Sequence, residues 1–89
     1  MSGHDGADTI VVRPNFDTGV QITVLATTAT VEPYRALELA GIILDQCAYP
    51  GTFVIAFGDI HLHLTASIGR ELAVAIARNA DIVLTGRSR

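Results

Sequence analysis

Lysine and tryptophan are absent from this 89-residue chain, and cysteine occurs once. A lone Cys47 forms no internal disulfide, so the fold must be held by its core, and the expected setting is a reducing cytoplasm. All six cations are arginine. No physical rule keeps lysine off a wet surface, so its absence is read as the coding bias of a GC-rich genome, such as that of an actinobacterium or one of its phages. Long apolar runs are missing too: Phe53–Phe57 and Leu72–Ala77 fall far short of the roughly 18–20 residues that span a bilayer, which argues against a membrane partner. Residues 1–8 have neither the basic start nor the apolar middle of a secretory leader and are read as a flexible polar tail.

Charge of one sign is also scarce. The net charge is −3, with acids and arginines interspersed, and aromatics make up 6% of the chain. A nucleic-acid platform needs a basic stripe or exposed stacking rings, so nucleic acid is not expected as a partner. The glycines are dispersed and compose no phosphate-cradling loop. No serine, cysteine or threonine carries the signature of an activated nucleophile, and the protein is not expected to be an enzyme.

Apolar residues, by contrast, are plentiful: 49% of the chain, with a mean hydropathy of +0.42. A domain this short buries only about 60–65% of the surface its unfolded chain exposes. Some apolar surface is therefore expected to be covered by a partner, with a homo-oligomer, most simply a dimer, as the default and another protein as the alternative.

The periodicity predicts a single α+β domain over residues 9–86, with 87–89 as a basic stub. Alternation through Ile10 and Val12, then Val20, Ile22 and Val24, predicts a hairpin over 9–25 with Ile10 opposite Val24 and Val12 opposite Ile22. Residues 26–31 are read as a Thr/Ala connector. Glu32-Pro33 opens a helix over 32–48 whose inward face is taken to be Leu37, Ala40, Gly41, Leu44 and Cys47 or Ala48, with Ile42 left on the wet side. Gly58-Asp59 is a hairpin turn for residues 52–65, and Ser67 is a candidate N-cap for a last helix over 67–84. Within that helix, Ile82–Thr85 also suits a short strand. The expected architecture is a two-layer ββαββα fold, a four-stranded, mainly antiparallel sheet with both helices on one face. The repeated hairpin–helix order suggests an internal duplication, since Arg35–Ala40 resembles Arg70–Ala75.

The second hairpin sorts its side chains most clearly. Phe53, Ile55 and Phe57 oppose Leu64, Leu62 and Ile60, while Val54 opposes His63 and Ala56 opposes His61. Asp59, His61 and His63 stand at i, i+2 and i+4, which on one continuous strand would project three metal ligands about 6.6 Å apart, with zinc the first ion to consider. The turn takes Asp59 out of that row. His61 and His63 remain as a two-histidine face suited to metal binding with help from His4 or a second subunit, or to a pH response by mutual repulsion. The bland reading is that both imidazoles merely cover a strand.

The open face of the expected sheet carries Val11, Arg13, Gln21, Thr23, Leu25, Val54, Ala56, His61, His63 and Thr65. Partly apolar, hydrogen-bonding and nearly uncharged, it resembles an interface core. The functional expectation is thus a small accessory or regulatory protein-interaction module that associates with itself. The alternative is a metal-binding or pH-responsive protein using His61 and His63.

Overall fold

The computed structural model describes residues 10–87. The polar tail at 1–8, His4 within it, and the last two residues of the stub at 87–89 lie outside the described residues. The elements run β1 (Ile10–Asn15), β2 (Gly19–Val24), β3 (Thr27–Val31), α1 (Pro33–Gln46), β4 (Thr52–Phe57), β5 (Ile60–Thr65) and α2 (Ala66–Arg87). They make an α+β fold of two helices and two antiparallel sheets, one ordered β1-β2-β3 and the other the β4-β5 pair.

This corrects the expected single four-stranded sheet in two ways. Residues 27–31 are a strand, not a connector, and the second hairpin keeps its own sheet. With three strands before α1 and two before α2, the halves are not equivalent, and no duplication is evident in the topology. The physical cause is the turn at Leu25-Ala26: β2 folds straight back onto β3 with Val24 opposite Thr27 and Val20 opposite Val31. Thr27, Thr28, Thr30 and Val31 are β-branched and suit a pleated strand. Gly19 makes the close pairing workable. Its φ is 128°, and a Cβ there would lie 2.4 Å from the Val31 carbonyl oxygen, so no other residue fits.

The first hairpin has the expected register, Ile10 opposite Val24 and Val12 opposite Ile22. Its loop is organised by Asn15, whose Oδ1 accepts hydrogen bonds from the backbone N–H of Asp17 (2.9 Å) and Thr18 (3.2 Å). Phe16 leaves that loop to cover Gly86 near the end of α2, and the Arg87 Nε donates to the Phe16 carbonyl at 3.0 Å.

Helix α1 starts as anticipated with Pro33 in its first turn, where a missing N–H costs nothing. Its phase differs from expectation. Pro33, Ala36, Ala40, Ile43 and Cys47 are buried, whereas Leu37 and Leu44 are 38% and 47% exposed and Gly41 and Ala48 are also outward. Ile42 is outward as expected, at 53%. The small side chains win the inward face because α1 packs extensively on α2, which contributes Gly69, Ala73 and Ala80 beside Leu72, Ile76 and Val83. Alanine and glycine permit a close helix–helix approach that leucines would hold apart. At one end of this contact, a Cβ on Gly69 would meet Cys47 Sγ and Phe53 Cζ, each at 2.8 Å.

Helix α2 follows β5 without a loop. Thr65, not Ser67, is the cap: its Oγ1 accepts from the Ile68 N–H at 3.3 Å. The helix continues through Ile82–Thr85 to Arg87. Weak helix formers at Asn79 and Asp81 do not stop it, because Ala80 and Val83 are fully buried and packing outweighs propensity. α2 lies against β1, β2 and β5, and α1 lies against α2 and β2. The inner sides of β2 and of both hairpin strands join the helices in one buried cluster. Although α2 has 22 residues, no described helix is long and apolar enough to cross a membrane.

Candidate interaction surface

The β4–β5 hairpin is built around Gly58, whose φ of 56° opens a two-residue turn with Asp59. Glycine at the first central position is what a type II′ turn prefers, and that turn matches the twist of paired strands. The pairing is Thr52 with Thr65, Phe53 with Leu64, Val54 with His63, Ile55 with Leu62, Ala56 with His61 and Phe57 with Ile60. Ile55, Ile60, Leu62 and Leu64 are buried, and Phe53 and Phe57 pack partly buried against them. The opposite side consists of Thr52, Val54, Ala56, His61, His63 and Thr65, all exposed.

The ten residues expected to share one open face are divided. Val11, Arg13, Gln21 and Thr23 lie on the outer side of the three-stranded sheet, where Val11 opposes Thr23 and Arg13 opposes Gln21. Leu25 belongs to neither pleat; it occupies the β2–β3 turn, 77% exposed. Val54, Ala56, His61, His63 and Thr65 form the outer side of the separate hairpin. Two further members, Thr28 and Thr30, come from β3 opposite Thr23 and Gln21, and Thr23 Oγ1 and Thr28 Oγ1 share a 2.9 Å hydrogen bond. The β-branched run at 27–31 was the signal for them, obscured by a turn without glycine.

His61 and His63 do stand side by side, exposed and on one face. Asp59 sits in the turn, off that face. Cys47 is buried, its thiol donating to the Ala66 carbonyl at 3.4 Å. Among the described residues no group of three or more His, Cys, Asp or Glu could hold a metal ion. The imidazoles are therefore a pair of donors, one or two short of the set zinc takes from a protein.

An open groove runs between the end of β3, the start of α1 and the hairpin tip, lined in part by Thr30, Glu32, Arg35, Ile42 and Phe57. Neither imidazole nor the thiol reaches it. Tyr34, Leu37 and Leu44 add outward apolar surface on α1, and of these the periodicity assigns Leu37 and Leu44 to the core.

Compared with known proteins, the chain matches no family model, and no curated protein or solved structure shows significant similarity to it.

Proposed function

We propose that this protein is a small non-enzymatic interaction module of the cytoplasm, with an accessory or regulatory role, that associates with a second copy of itself through the β4–β5 hairpin. The observation that supports this reading is the character of the hairpin's outer side. Val54 is 54% exposed at its centre, and around it stand Ala56, two threonines and two histidines with no carboxylate, arginine or lysine. Charge depletion around an apolar centre distinguishes the core of an interface from ordinary surface, where acids and bases predominate. An exposed valine alone would mean little; a six-residue face around it without carboxylate or arginine lets a second copy come alongside this hairpin without setting charges against each other.

The test is the mass in solution. The untagged protein should behave as a dimer by light scattering. Val54→Arg, or Ala56→Arg, should halve that mass with the circular dichroism spectrum unchanged, because both side chains point away from the core. A mass that stays at the dimer value in both variants would overturn the assignment of this face.

A further inference from the structure

We infer that two copies join edge to edge through β4, antiparallel about a twofold axis passing between their Val54 residues, to give a continuous four-stranded sheet in the order β5-β4-β4-β5. The inference rests on the reading that the protein self-associates and specifies how.

The backbone of the hairpin carries the argument. In a two-residue turn the flanking residues, here Phe57 and Ile60, form a hydrogen-bonded pair, and such pairs alternate along an antiparallel ladder. Phe53, Ile55 and Phe57 thus spend their N–H and C=O groups on β5. Thr52, Val54 and Ala56 direct theirs to the opposite edge, and among the described residues no hydrogen bond outside the β4–β5 ladder engages them. Three donors and three acceptors are left in a row on an exposed strand.

The other edges are guarded in ways this one is not. β1 carries Arg13 and Pro14, of which the proline cannot donate. β5 and β3 lie close to one another, which leaves less room at either for another strand. β4, with the sequence TFVIAF, has no charge, no proline and no glycine. Natural sheets rarely leave such an edge open, since it is a template for another strand.

A second copy is the occupant that fits, because β4 is its own complement in one register. Placing Val54 opposite the partner's Val54 sets Thr52 opposite the partner's Ala56, and all the outward groups on both copies then pair. A one-residue slip would set outer-face side chains against core-face ones. A two-residue change in the sum, centred on Ile55 or Phe53, leaves an outward residue of the strand without a strand partner. The chosen register brings no like charges together. Phe53 comes opposite the partner's Ile55, adding cover for a ring that is only partly buried in one chain. The His63 side chains end up three strand spacings apart, about 14 Å, too far to share a metal ion.

Three substitutions at one position test this. Val54→Pro removes an N–H that β5 does not use, so the hairpin should survive while dimer dissociation rises at least about a hundredfold, since a central acceptor on each copy loses its donor. Val54→Thr keeps the N–H and should remain dimeric by native mass spectrometry. Val54→Cys should form a covalent dimer under mild oxidation, because hydrogen-bonded pairs place their Cα atoms about 5.5 Å apart, within disulfide reach. Val74→Cys, at an equally exposed site on α2, should not, and neither should the wild type with its buried Cys47. A dimer that persists in Val54→Pro, or one whose Val54→Cys form does not cross-link, overturns the edge pairing and leaves self-association standing. A monomeric wild type overturns both. If Val54→Pro fails to fold, the cysteine result decides.

Discussion

Leu25 and Gly58 share a backbone angle, φ 56°, at the first residue of two hairpin turns that each have two residues, and only the glycine adopts it without cost. In the β4–β5 hairpin the turn chemistry and the strand pattern agree. In the β2–β3 hairpin they conflict: a γ-branched side chain is held where L-residues lose roughly 1–2 kcal/mol, and it projects into solvent without packing in return. The pairing of β2 with β3 is therefore imposed by its surroundings, by the fully buried Val20 and Ile22 and by the fit of Gly19 under the Val31 carbonyl. One hairpin is specified locally, the other by the body around it.

The contrast can be broken most severely at Gly19. Gly19→Ala forces a Cβ into the Val31 carbonyl at a φ that alanine resists, and should cost roughly 3 kcal/mol or more. Thermal unfolding would register this as a fall of about 12 °C or more, or as failure to fold. Gly58→Ala should cost about 1–2 kcal/mol, all of it from the turn, because the new Cβ would sit at an ordinary 3.6 Å from Ala29 Cβ. Leu25→Gly should stabilise the protein by about 1 kcal/mol or less, the relief of strain being partly offset by the greater freedom of glycine in the unfolded chain. Combining Leu25→Gly with Gly58→Ala sharpens the comparison. Two independent turns give changes that add, read as a denaturation midpoint within a few tenths of a kcal/mol of the sum. A large deviation would mean that the two hairpins are energetically coupled through β3.

The same contrast explains how much of the fold was legible. Both predicted hairpin registers are present, and each is marked by alternating apolar residues with turn formers between them: Pro14 to Gly19 in one, Gly58-Asp59 in the other. β3 was hidden because Leu25-Ala26 carries no turn signature. The rotation of α1 was hidden for another reason. Periodicity favours the largest side chains for the core, yet α1 buries Ala36 and Ala40 beside Ile43, α2 buries Ala73 and Ala80 beside Leu72 and Ile76, and Leu37 and Leu44 are displaced outward. Alternation within a strand reports which side is buried, whereas the identity of a helix's neighbour, and so the volume left for its side chains, is not written in its own spacing. The candidate surface was legible to the same extent: its hairpin half followed from a local turn, and its division between two sheets followed from contacts remote in sequence.

One of those remote contacts bears on when the protein can become itself. Phe16 rests on Gly86, and its carbonyl accepts from Arg87, 71 positions later. During synthesis the first hairpin can emerge and pair early, but its loop has nothing to settle on until the end of α2 has been made. Completion of α2 therefore completes a structure begun with β1, and a nascent chain stalled short of Gly86 should show Phe16 more accessible than the 52% it exposes in the folded protein.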